Sequence, residues 1–267
     1  MNIGPFAFPT GVVALCVGAA AALFVARATD KGRRDADSTV VWSVIIGLAA
    51  ARVSFVLHYL PTYQGSVLQI FDFRDQGFDL VAGVVAGGLW STWRIVRQRG
   101  SRRAIAMSTL TGLMAWGAVS AAFSVTDQHK SVPSLSLNGL DGVQHPLAQS
   151  DGKPLVVNLW ATWCPPCRRE MPALAKAQHD HPGIDIAFVN QGERQDDVDA
   201  FLRWAQLTPQ NVLLDPTLSV SRAVDANAYP TTLFYDAHGT LLQTHLGAFS
   251  EATLEHTIES LYPSSIR

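Results

Sequence analysis

The chain has 267 residues, 48% of them hydrophobic and 16% charged, with a formal net charge of −2 and a mean hydropathy of +0.15. That balance offers no basic surface to nucleic acid and is apolar for a chain lacking membrane segments. Its 3 cysteines, one close pair and a distant Cys16, are too few for a disulfide-stapled secreted scaffold and read as a single redox or metal site. In chain order, residues 8–26 carry no charge and as a helix would reach about 28 Å, enough for a bilayer core. A cleaved signal peptide is the rival reading, but residues 1–8 lack a basic stretch and the apolar run is too long. Further spans at 39–60, 78–93 and 104–123 make four. Cys16, among Ala and Gly, is expected to be a small packing residue.

Cations cluster in the first connection (Arg27, Lys31, Arg33, Arg34) and the third (Arg94, Arg97, Arg99, Arg102, Arg103). The second, residues 61–77, has only Arg74, flanked by Asp72 and Asp75. The positive-inside tendency places the first and third connections in the cytoplasm. Both termini then lie outside, and the chain beyond residue 124 faces the periplasm of a bacterial inner membrane, where disulfides persist.

The organisation expected is a four-helix membrane domain over 1–124, a linker over 125–135 and an α/β domain over 136–267. Strands are expected at 155–161, 184–190, 231–236 and 240–246, the last two joined by the turn 237–239. Helical periodicity marks 166–180, 195–207 and 250–262. In 156-VVNLWATWCPPCRREMPAL-174 a buried strand leads straight into a helix that starts at the cysteines. Cysteines at i and i+3 in a first helical turn lie close enough to bridge. The helix N-terminus favours thiolate over thiol. Cys164, ahead of the helix, is therefore the expected exposed nucleophile, and Cys167, one turn in, the expected resolving thiol. Pro165 and Pro166 cost little, because first-turn N–H groups have no helical partner.

Other readings of the pair are weaker. Half a zinc site lacks its second half, since no further Cys pair follows and the histidines are scattered singly. A purely structural bridge over so few residues constrains the unfolded chain very little.

The WCPPC run, preceded by VVNLWAT and followed by RREMP, together with 228-AYPTTLFYD-236, resembles the thioredoxin fold and within it the TlpA/ResA-like membrane-anchored thiol–disulfide oxidoreductases. The resemblance covers about residues 130–265. It implies a thioredoxin-like domain with a central mixed sheet, no cofactor beyond a redox-active Cys164–Cys167 disulfide, no metal, and protein disulfides as substrates. It places Pro230 as the cis-proline opposite the cysteines, leaving backbone of Tyr229 to pair with substrate. Trp163 and Pro165 would line the same cleft, with Trp163 shielding Cys164 and Trp160 in the core. Thioredoxin itself carries a buried acid where Asn158 stands here. Glu170, typical of the TlpA-like branch, is either a substitute proton relay or a solvated acid favoured by the helix dipole.

Residues 40–95 resemble the early membrane segments of prolipoprotein diacylglyceryl transferase: an Arg in a small-residue helix, an aromatic-rich loop, then a Gly-rich helix. The family's essential His is replaced by Val81 in 80-LVAG-83, which implies a relative without transferase activity. Arg52 and Asp79 are ionisable residues in spans and need partners. Either they pair with one another, or Arg52, with His58 and Asp79 near the outer interface, touches lipid headgroups.

The function expected is a periplasmic thiol–disulfide oxidoreductase, acting as a reductase of protein disulfides. Cys16 is alone in the spans, so electrons would come from a separate thiol-donating membrane protein. The alternative is a non-catalytic lipid-binding or assembly module that docks partners through its thioredoxin-like domain.

Overall fold

The computed structural model describes the backbone except at residues 1, 4–5, 8–9, 31–33, 64–69, 71–74, 128–129, 149–151 and 266–267. Lys31, Arg33, Asp72 and Arg74, used above for orientation, lie outside the described residues. The chain divides into two compact units, Pro9–Val125 and Thr126–Arg267, the second grouped with Met1–Phe8. That first segment forms two short paired strands, β1 (Asn2–Ile3) and β2 (Phe6–Ala7).

The first unit is helical: α1 (Thr10–Thr29), α2 (Asp35–His58), a 3-10 turn (Leu60–Tyr63), α3 (Leu80–Arg97) and α4 (Arg102–Asp127). Apolar runs without polar periodicity build these helices, because each must satisfy its backbone internally while exposing side chains to lipid. Segments of α1, α2 and α4 reach mean hydropathies of 2.1, 2.1 and 1.4, long and apolar enough to cross a membrane. The expected third span is present as α3 but ends on Arg94 and Arg97, which lowers its hydropathy and leaves the count at three or four. Small residues set the packing. A Cβ on Gly18 would lie 2.8 Å from Trp116 Cβ and 2.9 Å from the Gly112 carbonyl, so α1 and α4 meet backbone to backbone. Between α2 and α3, Ser43 and Ser91 share a hydrogen bond of 2.8 Å, and Arg94 Nε donates to Thr39 Oγ1 at 3.1 Å. Cys16 lies exposed on the surface of α1 rather than packed.

The second unit is a thioredoxin-like α/β fold around one mixed sheet. Its strands are β3 (Ser136–Gly139), β4 (Gln144–Pro146), β5 (Leu155–Trp160), β6 (Asp185–Gln191), β7 (Val212–Asp215), β8 (Thr231–Tyr235) and β9 (Leu241–Leu246). The spatial order is β4-β3-β7-β6-β5-β8-β9. Strands β5, β6 and β7 run parallel, while β8, β9, β3 and β4 pair antiparallel. Helices α5 (Pro165–Asp180), α6 (Gln195–Ala205), α7 (Ser219–Ala223) and α8 (Glu251–Leu261) flank it. Every residue of β5 is buried, as expected of a central strand covered on both faces. Strand alternation sends Val156 and Trp160 to a core shared with Met171 and Leu174 of α5, Phe201 of α6 and Ile258 of α8. Leu155, Val157 and Leu159 enter the opposite core with Val220 of α7. The strands and helices expected around the cysteines are all present. Strands β3, β4 and β7 and helix α7 went unread, each being five residues or shorter.

Candidate functional site

Strand β5 ends at Trp160, a turn returns the Cys164 N–H to the Ala161 carbonyl at 3.2 Å, and α5 begins at once. Cys164 is the N-cap in extended backbone, with Pro165 and Pro166 filling the first two helical positions. Those prolines leave Cys167 N–H as the nearest first-turn donor, and it points at Cys164 Sγ at 3.2 Å. Cys164 and Cys167 are joined in a disulfide with their Cα atoms 5.3 Å apart.

Exposure corrects one expectation. Cys164 is 3% exposed and Cys167 0%, so neither sulfur is open to solvent in this oxidised form. Both cysteines belong to the buried cluster that holds Trp160, Met171 and Leu174. Trp163, 64% exposed, stands edge-on to Tyr229 with ring centroids 6.1 Å apart, and Tyr229 packs against the buried cluster that contains Cys164. Trp160 is a core residue, tilted against Phe201 at 5.5 Å. The Tyr229–Pro230 peptide is cis, Pro230 is buried, Pro165 is exposed, and the Pro230 carbonyl accepts from Gly247 N–H at 3.0 Å.

Glu170, one turn beyond Cys167, is fully buried, which rules out the solvated-acid reading. Asn158 Nδ2 donates to its Oε1 at 2.8 Å and Phe249 N–H to its Oε2 at 3.0 Å. Desolvation dominates these two bonds and pushes the carboxyl up to about 8. Asn158 Nδ2 also donates to Thr232 Oγ1 at 3.0 Å. Thr232 lies opposite His245 in the sheet. His245 stacks on Phe249 at 3.8 Å, and burial lowers its titration to about 4. Asn158 and Glu170 are thus one hydrogen-bonded unit, joining the strand before the cysteines to the helix after them.

Glu193 escaped the sequence reading. Its Oε2 accepts from Thr162 N–H at 2.7 Å and from Asn190 Nδ2 at 2.6 Å, and its Oε1 accepts the Thr162 hydroxyl. The carboxylate thereby pins the turn that delivers Cys164. The available signal was an acid just past a buried strand, in 190-NQGE-193, where parallel α/β sheets carry their sites.

In the helical unit the expected Arg52–Asp79 pair is not formed. Arg52, 6% exposed, bonds Asp75 at 2.9 Å, the Gly77 carbonyl at 2.8 Å and the Ile70 carbonyl at 3.0 Å. Asp79 instead caps α3, accepting from Ala82 N–H at 3.1 Å and from the Ser54 hydroxyl at 2.7 Å. The guanidinium has closer acceptors in the connection before α3, and Asp79 answers the free N–H groups of its own helix. His58, exposed at the end of α2, lies edge-on to Tyr59 at 4.8 Å. Among the described residues no group of three or more His, Cys, Asp or Glu could hold a metal ion.

Residues 129–244 match the AhpC/TSA family model, and residues 1–124 match the prolipoprotein diacylglyceryl transferase model. The thiol-disulfide oxidoreductase ResA of Halalkalibacterium halodurans is 32% identical over 132 residues, covering 48% of this chain and 74% of that one. The thioredoxin-like protein YneN of Bacillus subtilis is 30% identical over 134 residues, 49% of this chain and 78% of that one. A solved structure, a putative thiol:disulfide interchange protein DsbE from Chlorobium tepidum, aligns over 50% of this chain and 96% of that one at 27% identity, with a TM-score of 0.46. With a buried strand delivering a bridged cysteine pair to a helix start, and with ResA 32% identical over 74% of its length, the chain belongs to the ResA-like thiol–disulfide oxidoreductases.

Proposed function

We propose that this oxidoreductase is a reductase of protein disulfides that works through the Cys164–Cys167 dithiol, on the periplasmic face of a bacterial inner membrane. One observation carries the reading: Cys164 caps α5 with Cys167 N–H aimed at its sulfur at 3.2 Å. An N–H donor and the positive end of a helix both favour a thiolate there. In the reduced enzyme, Cys164 thiolate attacks one sulfur of a substrate disulfide. The substrate bond breaks as the mixed disulfide forms, and the released substrate sulfur takes up a proton. Cys167 then loses its proton and attacks Cys164 Sγ, freeing the second substrate thiol. Two electrons pass to the substrate, and the enzyme is left with the bridge seen here. Glu170, in its ionised fraction, is the proposed proton acceptor for Cys167. A carboxyl titrating near 8 exchanges protons with a thiol close to neutral pH, which an ordinary carboxylate does poorly. Trp163, Pro165, Tyr229 and Pro230 are the proposed substrate contacts.

The reductase direction is supported by the short link between Gln191, ending β6, and Gln195, starting α6, which has no room for the helical insertion of an oxidase. The membrane side is supported by Arg94 on α3 reaching Thr39 on α2. That bond puts the two cation-bearing connections at one end of the helices, the end read as cytoplasmic. Electrons would arrive from a separate thiol-donating membrane protein, since Cys16 has no partner cysteine in the helical unit.

With the full chain in detergent, Cys164→Ser should abolish reduction of insulin disulfides. Cys167→Ser should accumulate mixed disulfides with native targets, seen as thiol-sensitive bands on non-reducing gels. Full activity in both variants would overturn the assignment.

A further inference from the structure

Tyr229 stands beside Pro230 and edge-on to the exposed Trp163, and its hydroxyl is tied into the protein. Ser221 Oγ lies 2.9 Å from Tyr229 Oη and 2.7 Å from Gln191 Oε1. Gln191 Nε2 donates to Asp215 Oδ2 at 3.2 Å. Ser221, Gln191 and Asp215 are 4%, 1% and 0% exposed, so the three form a buried line running inward from the cleft.

The donors fix its direction. The Asp215 carboxylate accepts in every contact, taking Ser219 N–H, the Ser219 hydroxyl and Val220 N–H at 2.8 Å each and the Thr217 hydroxyl at 3.4 Å, besides Gln191. Its demand turns the Gln191 amide nitrogen inward, which leaves Gln191 Oε1 facing Ser221. Ser221 has one hydroxyl hydrogen and gives it to that oxygen, so the Tyr229 hydroxyl must donate to Ser221 Oγ. Each member has one orientation, and the far end of the line is the Tyr229 ring.

We propose that Ser221 and Gln191 are positioning residues that lock Tyr229 as the fixed wall of the substrate cleft. With Trp163 packed edge-on against it, the Tyr229 wall would receive a protein disulfide whose neighbouring side chain is aromatic or aliphatic. In edge-to-face contact, the two rings make one continuous apolar ledge next to the cluster that holds Cys164. The inference rests on the dithiol reading above and concerns protein binding, not the sulfur chemistry. A small disulfide needs no ledge.

The test uses the full chain in detergent with two substrates, insulin and 5,5′-dithiobis(2-nitrobenzoate). Ser221→Ala should raise KM for insulin about tenfold, the worth of one buried hydrogen bond in holding the ring, with kcat nearly unchanged. The equilibrium constant with glutathione and the rate with the small disulfide should stay within about twofold. Tyr229→Phe removes the same bond from its other end. It should raise KM for insulin by a similar factor, and the double variant should be no worse than either single one. Unmoved insulin KM in both single variants overturns the proposal. So does a parallel fall in the small-disulfide rate or a shifted glutathione equilibrium in Ser221→Ala, which would place the line behind the cysteines instead of the cleft. A wild type inactive on both substrates overturns the dithiol reading and this inference with it.

Discussion

Glu170 shows what one buried side chain adds to a thiol pair. Two donors hold its carboxyl in place without paying back the loss of water, so it keeps a proton that an exposed glutamate would have lost. Glu170→Gln should leave the first attack on substrate unchanged and slow resolution of the mixed disulfide about tenfold. The pH dependence of resolution should lose its inflection near 8. Stopped-flow quenching across pH would read both, and an inflection surviving in Glu170→Gln would assign it to another group. This role was only half legible beforehand. The motif named the residue, but a first-turn acid normally faces water. What buries it, Asn158 on β5 and Phe249 N–H before α8, comes from two segments far apart in the chain. Cys164 was misjudged for the same reason. The cluster that encloses it includes Phe234 and Phe249, 70 or more residues later, and no local pattern announces them.

Among the elements, legibility followed length and periodicity. The apolar run of β5 and the amphipathic turns of α5, α6 and α8 announce themselves. Strand β7, only VLLD, and the single turn of α7 exist because neighbours shelter them. The helices of the first unit could be read from hydropathy, but their contacts could not. Arg52 finds Asp75 through a connection whose course no periodicity encodes. Where α1 meets α4, the contact depends on missing side chains. Gly18→Val would force a Cβ to 2.8 Å from Trp116 Cβ and 2.9 Å from a backbone oxygen. Neither can yield cheaply, so the helices should separate at a cost of about 1–3 kcal/mol. A lower midpoint for loss of the first unit's helical signal on heating in detergent would show this. An unchanged midpoint would mean the helices adjust freely.

At the scale of the molecule, two buried titratable groups on the α8 side of the sheet should shape the pH dependence of the thioredoxin-like unit. Glu170 moves from 4.5 unfolded to about 8 folded. The native state therefore holds a proton the unfolded chain releases, and stability falls as pH rises across that window. His245 moves from 6.5 to about 4, so its contribution is present above 6.5 and is lost as pH falls towards 4. Between about 4.5 and 6.5 the two slopes oppose one another, each on the order of 1.4 kcal/mol per pH unit. Stability should be level there and decline towards pH 8. Hydrogen exchange at β5 and β8 amides in the full chain would trace the profile. Glu170→Gln should remove the alkaline decline and expose a fall in stability from pH 6.5 towards 4, which Glu170 offsets in the wild type. A decline unchanged in that variant would contradict the assignment.

The near-complete enclosure of Cys164 has a consequence for the cell. In the bridged form the Cys164 sulfur is a poor target for small dissolved thiols, since exchange depends on access to the sulfur attacked. On the reading proposed above, the bridge would then be opened by a protein that docks at the cysteines in preference to a freely diffusing thiol.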